Sequence, residues 1–287
     1  MCYNIFMPEK KDERIFILGI PIDRISFFDC LKKIEELVES GAPHQVATIN
    51  PEFIIHSLRD NEFKTALQNS SLNTADGVGI VWASKFVELR RIFNFQPCLP
   101  AGRVSIFNFG LLLITLAAIL FNKKWLSSEI PERVTGIDLM WELANRAQER
   151  GWKIFLLGAG ERIAAEVAEK FQTLYPRVNI VGTYAGKPEE EGIVEKVAET
   201  RPDILFVAFG SPKQEKFIYK NLDKLGAKVV IGIGGSFDFI AGRAKRAPKI
   251  LQKLGIEWAW RLLQQPRRVG RIFNAFPRFV WKVYREK

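Results

Sequence analysis

The feature that most constrains the fold is a regular alternation in the second half of the chain. "WKIFLLGAG", "VNIVGTYAG", "DILFVAFG" and "AKVVIGIGG" are nearly continuous in Val, Ile, Leu and Phe, and the segments between them repeat apolar residues at helical spacing. A strand without polar alternation needs apolar cover on both faces. Helices that cross over between parallel neighbours supply it. The expected fold class is therefore α/β, a Rossmann-like parallel sheet with helices on both faces, plus a hydrophobic insert and a C-terminal helical appendage.

The first half reads less regularly. "RIFILGIPIDRIS" suggests a strand and turn, "SFFDCLKKIEELVES" a helix stopped by Gly41, and "HQVATIN" a short strand. "PEFIIHSLRDNEFKTALQNS" restarts a helix with Pro51 in its first turn, where a missing N–H costs little. "SLNTADGVGIVWASKF" then gives a short strand, a loop carrying Asp76 and another helix. Four segments result: 1–88, an N-terminal α/β part with Asp76; 89–130, the insert; 131–242, the Rossmann-like part; and 243–287, the appendage.

The insert holds Ile106 to Phe121, 16 residues with Asn108 and Thr115 as the only clearly polar side chains. As a helix this is about 24 Å long, against roughly 30 Å of bilayer hydrocarbon. Basic residues stand on both sides, Arg90, Arg91 and Arg103 before it and Lys123 and Lys124 after it, which places both ends on the cytoplasmic side. A re-entrant or interfacial hairpin bent at Pro97 to Gly102 satisfies both facts. A buried core helix, or a contact between copies in a homo-oligomer, is the competing reading.

Charge is just as uneven. The chain carries +10, yet Arg243 to Lys287 has 13 Lys or Arg against 2 Glu, and the remainder has 29 basic against 30 acidic residues. A neutral body with a basic tail implies an acidic partner surface. Trp258, Trp260, Phe273, Phe276, Phe279, Trp281 and Tyr284 lie among the tail arginines, a mixture suited to an anionic membrane interface. RNA binding explains the same composition but not the apolar insert, so the expectation is membrane and no nucleic acid. Cys2, Cys30 and Cys98 show no pairing or metal-like spacing, and the N-terminus has no long apolar run, which points to free thiols in the cytoplasm.

Strand ends carry the candidate chemistry. "GAGERIAAE" follows a strand and opens a helix, so Gly158 and Gly160 could let backbone N–H groups reach a phosphate, or could simply make a tight turn. A dinucleotide site would add an acid about 20 residues on, at the next strand, and Asn179 to Thr183 offers none, which disfavours NAD. "GTYAGKP", "FGSPKQE" with Gly210, and "GIGGSFDFIAG" end three more strands, and in an open α/β sheet such loops meet ligand at the carboxyl edge. No His-rich or DxD-type cluster is present to hold a divalent ion.

"INPEF", "ADGVGIVWAS", "PERVTGIDLM", "FGSPKQE", "GIGGSFDFIAGRAKRAP" and "GIEWAWRLLQQPRR" occur in this order. Together they closely resemble the WecG/TagA/CpsF family of bacterial glycosyltransferases, over nearly the whole chain except the insert. The resemblance implies an inverting, metal-independent enzyme that needs no cofactor. It would move a sugar, typically of N-acetylmannosamine type, from a UDP donor to a polyprenyl-diphosphate-linked sugar at the cytoplasmic membrane face, for cell-envelope polysaccharide or teichoic acid. It implies that Asp76 is the general base, that Thr48, Asn50, Arg133 and Gln214 line the pocket, and that Tyr184 and Asp238 lie near the nucleotide. It also implies that Arg261, Arg268 and Arg271 of the appendage reach the diphosphate.

The chemistry of the residues agrees with those roles. A single displacement needs one base for the acceptor hydroxyl, and without a metal the leaving diphosphate needs Arg side chains and helix N-termini. Blander readings stand beside these: Asp76 before Gly77 also suits a turn, and Thr48 and Asn50 also suit caps for the Pro51 helix. Another UDP-hexose or uronic acid donor on the same fold, or a non-catalytic nucleotide- or RNA-binding protein, are the alternative functions.

Overall fold

The computed structural model describes residues 13–93, 106–127, 129–248, 251, 257–264 and 269–286. The turn expected at Pro97 to Gly102 lies outside these residues, as do Cys2, Cys98 and Arg268. Cys30 is a buried free thiol, pushed up to about 12 by burial and then by the Asp23 carboxylate, so it is inert.

Six strands form one parallel sheet: β3 (His44–Ile49), β4 (Leu72–Ala75), β5 (Lys153–Gly158), β6 (Asn179–Tyr184), β7 (Ile204–Ala208) and β8 (Val229–Gly232), in the order β4-β3-β8-β7-β5-β6. The expected strands are all present. The segments 1–88 and 131–242 share this sheet, because β3 pairs with β8, Val46 opposite Ile231 and Ala47 opposite Gly232. β1 (Arg14–Ile17) and β2 (Ile20–Asp23) make a separate antiparallel hairpin against the β4 edge. Asp23 accepts the Asn73 N–H at 2.7 Å and Arg14 donates to the Ser71 carbonyl at 2.7 Å, so side chains blunt that edge in place of another strand.

Residues along each strand alternate between two apolar layers. Ile154, Leu156 and Ile231 face α1 (Phe27–Ser40), α7 (Gly136–Arg150), α8 (Ile163–Leu174) and α11 (Ser236–Ile240). Phe155, Leu157 and Val230 face α9 (Ile193–Ala198) and α10 (Lys213–Asn221). Ala47 and Ile49 continue that second face, against α2 (Pro51–Ser57), α3 (Asn61–Gln68) and α4 (Val78–Phe93). The single helix expected over 51–70 is thus two, broken where Asp60 leaves the helix and caps α3 through the Phe63 N–H.

α4 runs unbroken across residues 88 and 89, so no structural boundary lies there. It carries α5 (Ile106–Phe121), the short α6 (Lys123–Leu126) and the last tail helix α13 (Val269–Arg285); α12 (Glu257–Gln264) precedes α13. Trp82 is the hub. Fully buried, it donates Nε1–H to Thr115 of α5 at 3.0 Å and meets the Phe279 ring of α13 edge-on, centroids 6.1 Å apart. α5 therefore packs one face into the body, and among the described residues no helix is long and apolar enough to cross a membrane.

The appendage is also docked. Phe279 and Val283 are fully buried, Arg90 donates to the Val283 carbonyl at 3.3 Å, and the Leu18 N–H donates to Glu286 at 2.8 Å. A Cβ at Gly79, in the first turn of α4, would lie 3.8 Å from the Phe279 ring, so the tail helix closes directly behind the Asp76 loop. Phe279→Ala should therefore lower stability by about 3–5 kcal/mol, whereas Trp281→Ala, on the exposed side, should stay within about 0.5 kcal/mol. Equal losses in urea denaturation would contradict the docking.

Candidate active site

A parallel sheet places every strand's carboxyl end on one edge, and ligand crevices open where consecutive loops diverge to opposite faces. This happens twice. β5 leads to α8 on one face while its neighbour β7 leads to α10 on the other; β8 leads to α11 on the first face while its neighbour β3 leads to α2 on the second. Gly158, Gly160 and Gly210 belong to the first crevice. At Gly158, φ is +97° and a Cβ would lie 2.8 Å from the Phe209 ring, so only glycine lets these two loops meet.

The second crevice holds Asp76. Its N–H donates to the Ile49 carbonyl at 2.7 Å, and the Ala75 carbonyl accepts the Val134 N–H at 2.9 Å, sewing the loop before α7 onto the end of β4. Gly77 at φ +125° turns the chain sharply into α4 and leaves Asp76 at the rim. A cleft open to solvent is lined there by Asp76, by Thr135, Gly136 and Ile137 at the start of α7, by Ser236 and Phe239 of α11, and by Arg246, Ala247 and Glu257.

One guanidinium organises this cleft. Arg246 grips Asp138 with two bonds, Nη1 to Oδ1 at 2.7 Å and Nη2 to Oδ2 at 2.8 Å, while the Thr135 hydroxyl donates to the same carboxylate at 2.7 Å. Burial pushes the Asp138 carboxyl up, but the Arg246 and Thr135 bonds and the Arg246 and Arg133 charges outweigh it and hold it below the usual range. Arg246 is raised by its bond to Asp138 first, with the Glu257 and Asp76 charges adding to it. Arg133 donates to Glu257 at 2.8 Å. Two arginines and three carboxylates thus surround one opening, and the carboxylates of Asp138 and Glu257 are already held by guanidinium groups. Among the described residues no group of three or more His, Cys, Asp or Glu is arranged to hold a metal ion.

The other expected residues distribute along the edge. Register sets Thr48 beside Thr74 and Ile49 beside Ala75, so Asn50 follows next to Asp76. Both side chains are engaged: Thr48 donates to the Gly232 carbonyl at 3.4 Å, and Asn50 caps α2 by accepting the Glu52 and Phe53 N–H groups. Gln214 is buried, not open to the cleft. Its Oε1 accepts the Gly210 N–H at 3.1 Å and the Gly234 N–H at 3.0 Å, which bolts the β7 and β8 loops together. Asp238 lies on α11, whose first turn borders the cleft.

Tyr184 ends β6, five strands from β4 and so roughly 24 Å from Asp76. There its hydroxyl donates to Glu190 and the Lys196 ammonium lies 3.6 Å over its ring. It borders the first crevice and not the cleft. Arg261 lies on α12 and Arg271 on α13.

Sequence reasoning passed over Arg246, Asp138, Glu257 and Glu215. All four stand inside stretches quoted for other residues, and Thr135-x-x-Asp138 is a readable helix-start pattern. Glu215 is fully buried behind Gln214, accepting its Nε2–H at 2.6 Å, and its Oε2 finds no hydrogen-bond partner among the described residues.

The family model described as "Glycosyl transferase WecG/TagA/CpsF family" matches residues 15–97 and 108–287. Only 98–107 falls between the two matched parts, so α5 lies almost wholly inside the match; the expected departure over 89–130 shrinks to that gap. An N-acetylglucosaminyldiphosphoundecaprenol N-acetyl-beta-D-mannosaminyltransferase of Bacillus subtilis (strain 168) is 28% identical over 263 residues, 91% of this chain and 86% of the relative. A protein of the same name from Staphylococcus aureus (strain MRSA252) is 27% identical over 277 residues, 96% of this chain and 93% of the relative.

Burial raises the Glu215 carboxyl to about 7, with the Gln214 hydrogen bond opposing it. The folded chain therefore keeps a proton there that the unfolded chain has lost above about pH 4.5, and stability falls as pH rises from there to about 7. Glu215→Gln should flatten that slope in urea denaturation measured across the same window; an unchanged slope would contradict the buried neutral acid.

Proposed function

The chain belongs to the WecG/TagA/CpsF family of glycosyltransferases, and from that membership we propose that it transfers an N-acetylmannosamine-type sugar from a UDP donor to a polyprenyl-diphosphate-linked N-acetylglucosamine. The names of both relatives support the sugar and the acceptor. The setting is cell-envelope polysaccharide or teichoic acid synthesis at the cytoplasmic face of the membrane, on an anionic lipid surface.

The observation that carries the reading is a carboxylate at the mouth of a cleft whose wall is a guanidinium, Asp76 facing the Arg246 side. Asp76 takes the acceptor hydroxyl proton as the oxygen attacks the anomeric carbon. The bond to the UDP oxygen breaks on the opposite side, its electron pair leaves with the β-phosphate, and the anomeric centre inverts. Arg246 and Arg133 supply positive charge at this opening, and the start of α7 adds its dipole, so the leaving diphosphate can be stabilised without a metal. The nucleotide occupies the crevice of Gly158, Gly160 and Gly210. Two strand spacings, about 10 Å, separate that crevice from the Asp76 cleft, a distance a ribose and diphosphate can bridge.

Asp76→Asn keeps the side chain's shape and removes its basicity. Transfer should fall by about 10²–10⁴-fold while calorimetric affinity for UDP-sugar is retained; full activity in this variant would defeat the assignment. EDTA should leave the initial rate unchanged, and strict dependence on Mn²⁺ or Mg²⁺ would defeat the metal-free displacement.

A further inference from the structure

α5 is built inside out. Spacing of about 100° per residue puts Phe109, Leu113, Ala117, Phe121 and Ile114 on one arc of roughly 140°, and Ala118, Leu111, Thr115, Ile119 and Leu112 on the opposite arc. The second arc is buried and the first is exposed, with Phe109 53%, Leu113 52%, Ile114 62% and Phe121 85% accessible. Thr115, the polar side chain of α5 whose placement is described, points inward, where its hydroxyl accepts from Trp82 and donates to the Leu111 carbonyl at 2.9 Å. A helix on a water-facing surface shows the reverse, polar side chains outward. From Phe109 to Phe121 the exposed stripe is about 18 Å long, a contiguous apolar surface that water does not favour.

The surroundings say what covers it. Arg91, near the end of α4, and Lys124, three residues after Phe121, are exposed on the elements before and after α5. α13, clasping the same α4 through Trp82, exposes Arg278, Lys282 and Arg285 beside Trp281, with the Arg285 guanidinium 4.8 Å over the indole. Cations around an apolar stripe, with a half-exposed tryptophan, match the layered chemistry of an anionic bilayer surface.

We infer that the outward arc of α5 lies in the headgroup–acyl boundary of an anionic bilayer, parallel to it, and seats the enzyme on the membrane. This deepens the reading of a lipid-linked acceptor and rests on it. The surface is coupled to the chemistry through α4, which carries α5 on its flank and starts two residues after Asp76.

The test is sedimentation of the full chain with phosphatidylglycerol–phosphatidylcholine vesicles, comparing wild type with Leu113→Ser/Ile114→Ser/Phe121→Ser. These side chains are exposed, so thermal unfolding is expected to be unchanged while vesicle partitioning falls at least about tenfold. An Ile114→Trp variant should shift to the blue on vesicles and be quenched by brominated acyl chains. Undiminished partitioning of the triple variant, or an unquenched tryptophan, would overturn the inference. So would a lipid-free wild-type dimer that the triple variant dissociates, which would make a second copy the occupant. Vesicle binding needs no sugar, so a wild type that binds vesicles but transfers nothing, even to a short-chain water-soluble acceptor, would fail the functional reading alone.

Discussion

Pairing of β3 with β8 is the constraint on which the site depends. Without it the Asp76 strand pair and the regular βα half would be two bodies. With it, six parallel strands release their loops on one edge, and the Asp76 turn stands beside the β8 loop. The Val134 N–H to the Ala75 carbonyl then draws in the start of α7, and Arg246 follows because Asp138 in that first turn holds it. Backbone pairing thus sets side-chain chemistry: a base candidate and a cation that no local sequence relation connects share one cleft.

Electrostatic balance in that cleft is close. Arg246 carries one charge against Asp138, Glu257 and Asp76, and Arg133 offsets one of the two remaining negative charges through Glu257. A diphosphate arriving here meets guanidinium groups already oriented by carboxylates, which limits the reorganisation needed as charge moves to the leaving oxygen. Glu257 and α12 belong to the basic tail, so the tail contributes to the cleft from one end while Phe279 and Val283 anchor its other end behind α4.

The strands of the second half were legible because continuous Val, Ile and Leu runs have few alternatives, and the Asp76 turn because Gly77 follows it. Gln214 shows what was not legible. Gln214 is spent on two glycine N–H groups, since a buried amide must satisfy its neighbours before it can serve a ligand, whereas the cap made by Asn50 is the blander of its two sequence readings. Arg246 was invisible for the opposite reason: in sequence it is one arginine among 13 basic tail residues, and only its bidentate grip on Asp138 separates it from them. α5 has two competing readings, core or membrane, and the structure buries one of its faces and leaves the other exposed.

The central claim is a single displacement by the acceptor hydroxyl, with one carboxylate, Asp76, as its base. It is tested most directly by the anomeric configuration of the product, read from the one-bond carbon–hydrogen coupling at the transferred sugar after reaction with an α-linked UDP donor. The account predicts a β-linked product, inverted at the anomeric carbon. An α-linked product would require a second displacement, with a carboxylate acting first as nucleophile and not as base, and would contradict it.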